Sequence, residues 1–262
     1  MESSLHTDAA KYQAGMGTWS KTLALVFMEF VGGIKEGGRL LDVGCGTGSL
    51  TFTVADTIKA AKIIGIDPSA GYLEYARAHN PYSHVAFEIG DAHQLRFEDN
   101  CFDCCVSSLM IQFLFDAQTA AKEMKRVTKR GGIVATCMWD VGGGMELSKK
   151  FWDAAVAVDS KVRPPVRSRY GSASGLSELW TVAGFVNVEI RPLVIPMEFR
   201  SFEDLWQRHS NSQGPPKPYI GSLSDDSRYR LKERLRSDIL GNGYDRPFTL
   251  KAKAWAVRGM VP

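Results

Sequence analysis

The sequence predicts an α/β protein built on a doubly wound, mostly parallel sheet. Three observations carry this. Short apolar runs recur through the first half of the chain without strict alternation, segments of helical rhythm separate them, and the first run breaks abruptly into glycines. Strands covered by helices on both faces read as continuous apolar runs, whereas a half-wetted sheet alternates polar and apolar residues.

Taken in order, Trp19 to Val31 repeats apolar residues at helical spacing and stops at Gly32-Gly33. Leu40 to Val43 is the first strand, turning through glycines into a helix from about Ser49 to Ala60. Lys62 to Ile66 is the second, closed by Asp67-Pro68, because proline has no N–H to give to a central ladder. Helix Gly71 to Ala78, strands His84 to Ile89 and Phe102 to Ser107, helix Ala117 to Thr128 and strand Ile133 to Trp139 continue the alternation. Beyond Trp139 the rhythm changes. Gly142-Gly143-Gly144 is a break, Met145 to Val158 an amphipathic helix, and Lys161 to Gly175 a basic loop. Helix Leu176 to Ala183 and strand Val186 to Ile190 return to the sheet. Helix Ser201 to His209, a proline-rich loop Ser210 to Gly221, helix Asp225 to Leu240 and strand Phe248 to Val257 finish the chain. One domain, 1–262, is expected, with a ligand-binding core over 38–139 and substrate-cover insertions within 142–221.

At 262 residues roughly 73% of the unfolded surface can be buried, so neither disulfide nor metal is needed for a core. The 32 basic and 29 acidic side chains leave a formal charge of +3 without a long basic block, which argues against a nucleic-acid surface. The apolar run Leu23 to Val31 is too short to span a bilayer and contains Glu29, so membrane insertion is not expected and the cytoplasm is the default location. Five cysteines lie mostly in strand-like segments and read as reduced, buried hydrophobes. Cys101, Cys104 and Cys105 lack a second cysteine pair or a well-spaced histidine, so no metal is expected.

The informative string is Leu41-Asp42-Val43-Gly44-Cys45-Gly46-Thr47-Gly48. Alternate glycines let a strand-to-helix turn approach a ligand closely, because no Cβ atoms intervene. A phosphate loop needs Lys and then Ser/Thr after its glycines, and Ser49-Leu50 stands there instead. The dinucleotide fingerprint spaces its glycines differently, which disfavours a nicotinamide oxidoreductase. Asp67, at the end of the next strand, reaches across to the first loop, where its carboxylate can accept from two ribose hydroxyls. Asp91 follows the third strand in the same way and can accept from an adenine amino group.

Asp42 to Gly48 resembles the S-adenosylmethionine (SAM) binding motif of class I methyltransferases, particularly the methyltransferase type 11 group with its ubiquinone/menaquinone-biosynthesis-like members. Gly65-Ile66-Asp67-Pro68-Ser69 resembles the family's ribose loop and Ile89-Gly90-Asp91-Ala92 its adenine loop. Phe97 to Asp103 and Glu123 to Gly132 resemble the approaches to strands four and five. The likeness covers about 38–139 and implies a Rossmann-like methyltransferase sheet. By position, Gly44, Gly46 and Gly48 would line the amino-acid end of SAM, with Asp42 holding the loop or reaching the amine through water. Asp67 would take the ribose beside Pro68 and Ser69. Asp91 and the Ala92 N–H would read adenine, and Ser107 would approach the methionine portion. Tyr12 and Trp19 resemble a lead-in that folds over the cofactor.

The resemblance implies an enzyme that transfers a methyl group from SAM to a small molecule, leaving S-adenosylhomocysteine; a non-catalytic SAM-fold partner is the alternative. Carbon, oxygen and nitrogen acceptors are not separated by these residues, and family likeness favours carbon or oxygen. Transfer needs placement and exclusion of water, and a base only if the acceptor loses a proton. Asp140, at the sheet's C-terminal rim, is the first acceptor-side candidate; His93 and His209 are candidate bases, and Gln112 a candidate amide contact. Trp139, Trp152, Tyr170 and Trp206 can line an acceptor pocket, and Arg163, Arg167 and Arg169 can meet an anionic acceptor. No Asn-Pro-Pro-aromatic motif of nucleic-acid methyltransferases is present. The oligomeric state is left open.

Overall fold

The computed structural model describes residues 9–60, 62–165, 168–211 and 214–262, so Arg167 lies outside the described residues. The strands are β1 Arg39–Val43, β2 Lys62–Asp67, β3 Val85–Ile89, β4 Phe102–Ser108, β5 Thr128–Trp139, β6 Val186–Phe199 and β7 Phe248–Met260. They form one sheet in the order β3-β2-β1-β4-β5-β7-β6. The first five run parallel, and β7 is antiparallel to both its neighbours.

Alternate residues of each strand serve opposite faces. Leu40, Ile63, Cys104 and Ala135 enter one apolar cluster, whereas Leu41, Ile64, Cys105 and Val134 enter another. In chain order α1 is Ala9–Tyr12, which runs through a π-helical turn, Gln13–Gly17, into α2, Thr18–Val31. α3 is Ser49–Thr57 and α4 is Ala70–Ala78, and both join α2 on the first face. The Ser69 hydroxyl caps α4 by accepting from the Tyr72 N–H at 3.4 Å. α5, Ala117–Val127, covers the second face and is capped by Asp116, which accepts from the Thr119 N–H at 3.0 Å. This two-sided cover is the physical reason the first strands read as unbroken apolar runs.

The second half departs from the sequence expectation in length more than in kind. After α6, Glu146–Val158, and α7, Ala173–Val182, strand β6 continues well past Ile190 to Phe199. Pro192 and Pro196 hid that extension. β6 lies at the sheet edge, so a proline whose missing N–H would face away from β7 forfeits no ladder bond. β7 likewise runs on to Met260. Between them lie α8 Phe202–Asn211, α9 Pro216–Ser222 and α10 Asp225–Leu240. α9 falls where a proline-rich loop is expected; Pro216 occupies its first turn, where a missing N–H costs nothing. Phe151 of α6, Leu205 of α8, Ile220 of α9 and Leu231 of α10 share the first-face cluster, which builds a helical roof over one rim of the sheet.

The cysteines are all free. Cys104 and Cys105 face opposite sides of the sheet, and burial pushes the Cys104 thiol up to about 12. No group of three or more potential metal ligands occurs among the described residues, and no described helix is long and apolar enough to cross a membrane.

Candidate cofactor and acceptor site

The turn after β1 is held from below. The Gly44 and Cys45 N–H groups both donate to the Ile66 carbonyl, at 2.8 and 2.9 Å. Gly46 donates to Asp67 Oδ2 at 3.0 Å, and Asp67 Oδ1 accepts from the Ser69 N–H at 2.9 Å. Asp67 therefore ties the first loop to the start of α4. Gly46 has a φ of +54°, and a Cβ built there would meet only the Tyr72 ring, at 4.0 Å. Glycine is thus required by the backbone, and the loop's inner side stays open. Packing closes the other approach, since a Cβ on Gly44 would collide with the Met110 side chain.

Charge is stored beside this turn. Asp42 is fully buried, and its Oδ2 accepts from the Thr51 hydroxyl at 2.6 Å. Its other oxygen has no partner among the described residues, and desolvation pushes its carboxyl up to about 7, with the Thr51 bond opposing and the Asp67 charge adding. Burial also raises Asp67, against the pull of the Ser69 and Gly46 N–H groups. The Thr47, Ser49 and Ser107 hydroxyls are buried and without partners among the described residues. Orphaned polar atoms carry a desolvation cost, so their gathering around one open loop marks a site shaped for a polar ligand. Two carboxylates at adjacent strand ends favour one that is cationic.

Next along the rim, Asp91 is exposed and accepts from both the backbone N–H and the Nδ1 of His93, at 2.9 and 2.7 Å. The backbone bond, foremost, holds its carboxyl below the usual range. Ala92 is buried, Pro68 exposed and Ser69 half-buried. The Gly90 N–H donates to the Asp67 carbonyl at 3.3 Å, so the expected ribose and adenine loops are in direct contact.

A cavity of about 830 Å³ opens alongside. Tyr12, Met16 and Trp19 wall it from the N-terminal segment, Leu109 and Gln112 from the turn after β4, and Trp139 and Val141 from the end of β5. The roof supplies Leu147 and Trp152 from α6, Arg208 and His209 from α8, and the prolines of α9. Cavity and loop adjoin through neighbouring residues. Tyr72, which faces Gly46, lies 6.0 Å from Tyr12, and Met110, between Leu109 and Gln112, packs on Gly44. Leu109 holds a φ of +60°, and its N–H is fixed to the Cys137 carbonyl at 2.8 Å. A non-glycine residue in that region is strained, and here it sits on a ligand wall.

Residues 41–136 match the methyltransferase-domain family Methyltransf_11. An uncharacterised methyltransferase of Schizosaccharomyces pombe is 33% identical over 110 residues, 38% of this chain and 40% of that protein. The demethylmenaquinone methyltransferase of Staphylococcus aureus is 28% identical over 175 residues, 61% of this chain and 72% of that protein. Over residues 41–136 the chain carries a methyltransferase domain of this SAM-dependent type. The fold returns in phosphoethanolamine N-methyltransferase 2 of Haemonchus contortus, solved with S-adenosylhomocysteine. It superposes with a TM-score of 0.58 at 20% identity, over 97% of this chain and 57% of that one. The match thus spans less than half of the yeast relative.

The residues around this loop fit SAM, the cofactor of such domains. The open side of Gly46, the unpartnered Asp42 oxygen and the buried hydroxyls of Thr47 and Ser107 are complementary to a ligand with an ammonium and several hydroxyls. Of the other positions expected from sequence, Tyr12 and Trp19 reach the cavity, as do Gln112, Trp139, Trp152 and His209. Tyr170 and Trp206 do not; they pack into the two opposite apolar clusters. Arg163 turns back onto the Ser160 and Val162 carbonyls, and Arg169 pairs with Glu178. Arg208, Leu109 and the proline wall carried no signal in the sequence. They come from a strained turn and a roof assembled from distant segments.

His93 gives its Nδ1 to Asp91 and stacks on Phe115 at 4.1 Å, outside the cavity wall. Asp140 is nearly buried and paired with Lys253 at 2.8 Å, and its Oδ1 accepts from the Gly142 N–H at 3.1 Å. Its carbonyl accepts from Gly144 and Met145, and its N–H donates to the Lys253 carbonyl at 2.8 Å. Asp140 lines a smaller neighbouring recess with Ser168 and Trp255 rather than the large cavity. These bonds make it the clasp of the 140–145 turn. Asp140→Ala should therefore destabilise the fold by about 1–3 kcal/mol, since it strands a half-buried lysine and a turn N–H. Urea denaturation reads that loss, and S-adenosylhomocysteine affinity should stay within about threefold. An unchanged midpoint would show that the clasp carries no stability.

Proposed function

We propose that this protein transfers the methyl group of SAM to a small-molecule acceptor, at carbon or oxygen. The observation that carries the reading is an adjacency: an open, carboxylate-backed glycine loop beside an aromatic cavity. Gly44, Gly46 and Gly48 line the amino-acid end of the cofactor, and Asp42 faces its ammonium. Asp67 takes the ribose beside Pro68 and Ser69, Asp91 and the Ala92 N–H take the adenine, and Ser107 contacts the methionine portion. Tyr12 and Trp19 close the N-terminal side.

When bound, SAM supplies a methyl carbon already activated by its sulfonium. The protein's part is to hold an acceptor lone pair or carbanion in line and to keep water out, which needs no protein nucleophile. The apolar roof and Trp19 perform the exclusion. The strained Leu109 turn supports the loop through Met110 on one side and presents a cavity wall on the other.

Calorimetric titration with S-adenosylhomocysteine, with NAD⁺ and ATP as controls, tests the reading. Saturable one-to-one binding of S-adenosylhomocysteine alone is expected. A folded protein that binds none of the three, or binds NAD⁺ instead, would sink it.

A further inference from the structure

The cavity is large, and its described lining offers little available charge. Its 830 Å³ falls toward the upper end of small-molecule pockets, roughly 300–1,000 Å³, so it holds a ligand of several rings or a comparable apolar chain. Trp19, Trp139, Trp152, Met16 and Leu147 dominate the wall. Among the described residues, each charged side chain lining it is already engaged. Lys149 pairs with Asp153 at the rim. Arg208 contacts Asp204 at 3.4 Å, donates to the Gly15 carbonyl at 3.2 Å and lies 4.7 Å over the Trp19 ring. His209 is buried against Phe151 at 4.6 Å, and desolvation brings it down to about 3, so it adds no cation.

Neutral hydrogen-bonding groups remain on the wall, among them those of Gln112, Trp139 and Ser148. The Gln112 side-chain amide, which both donates and accepts, has no partner among the described residues and lies on the wall. The Trp139 indole N–H is buried and likewise without a partner among them. Gln112 follows Met110, the residue packed on Gly44, so it stands at the end of the cavity nearest the glycine loop. A carboxylate or ammonium placed here would be desolvated with no counter-charge, whereas a hydroxyl or carbonyl would find its complement.

We propose that the acceptor is an uncharged, predominantly aromatic or polycyclic molecule, and that Gln112 positions it by hydrogen-bonding a hydroxyl or carbonyl close to the reacting end. The statement rests on the methyl-transfer reading for its chemistry. Binding to the cavity tests it separately.

Four probes of one size separate the possibilities: 2-naphthol, naphthalene, 2-naphthoate and 2-naphthylmethylammonium. Each is titrated into the 262-residue protein with and without saturating S-adenosylhomocysteine, following quenching of the tryptophans that line the cavity. 2-Naphthol should bind about fivefold tighter than naphthalene, the yield of one hydrogen bond, and at least tenfold tighter than either ion. In Gln112→Leu the naphthol advantage over naphthalene should vanish, while naphthalene binding and S-adenosylhomocysteine affinity are retained. The same loss in Gln112→Ala guards against a packing artefact of the leucine. Tight binding of the naphthoate or the ammonium would overturn the neutral-acceptor assignment, and a preference that survives both variants would overturn the role of Gln112. Loss of S-adenosylhomocysteine binding with the probe order intact would count against the cofactor reading alone.

Discussion

Asp67→Ala is expected to weaken S-adenosylhomocysteine binding at least 100-fold and to destabilise the unliganded fold by about 1–3 kcal/mol. Both effects come from one carboxylate. Its two oxygens already hold the Gly46 and Ser69 N–H groups, at 3.0 and 2.9 Å, and in the proposed function its remaining lone pairs serve the ribose hydroxyls. Removing it leaves those two donors without their acceptor and frees Gly46, whose φ of +54° is kept in place by that bond. On the proposed ribose assignment it also deletes two charge-assisted bonds to the cofactor, each worth roughly 1.5–3 kcal/mol, which together amount to two decades or more in affinity. Asp67→Asn keeps the volume and one acceptor, so it should recover part of the stability but little of the affinity. That divergence separates ligand binding from loop support. Calorimetry and urea denaturation on the same preparations read the two quantities. An alanine variant whose affinity stays within fivefold would remove Asp67 from the ribose site.

The residues that made this half legible are local. A glycine loop, an aspartate at each of two strand ends and short apolar runs are properties of contiguous sequence, and the parallel core follows them closely. α10, Asp225–Leu240, was equally readable because its charged face and its Leu231 and Leu235 repeat at helical spacing. What escaped depends on partners far along the chain. β6 reads as a short strand until β7 pairs with it from Val186 to Phe199, because Pro192 and Pro196 are tolerable only at an edge. α9 reads as a loop because its prolines are helix-compatible only in the first turn. Asp140 looked like an acceptor contact because it ends a central strand, yet Lys253, on a strand more than a hundred residues later, takes its carboxylate. The left-handed Leu109 carries no sequence mark at all, since its strain is imposed by the Cys137 carbonyl across the sheet.

Asp42 sets the second large effect, and its sign is opposite for folding and for binding. In the unliganded protein its carboxyl is pushed up to about 7 from an ordinary 3.8, so the folded state keeps a proton that the unfolded chain releases. The stability this group contributes is complete below about pH 4 and is lost as the pH rises through 7. Three pKa units correspond to on the order of 4 kcal/mol for this fully buried group. Asp42→Asn does not titrate. Wild type should be at least as stable as the variant at pH 5, and the variant more stable at pH 8. Binding runs the other way. With the ammonium against Asp42, as proposed, binding favours the ionised carboxylate, so S-adenosylhomocysteine affinity in wild type should fall below pH 7, approaching tenfold per unit as the proton must first leave. In the asparagine variant affinity should be low throughout, and the part of the slope centred near pH 7 should disappear; Asp67, itself raised by burial, contributes any residue of it. Melting at pH 5 and 8, with titrations across the same range, gives both curves. A wild-type affinity that is flat from pH 5 to 8 would place Asp42 outside the ammonium's reach and leave it as a loop support through Thr51 alone. A crossover in stability together with a lost slope would mean that the site keeps a destabilising charge because the ligand needs it.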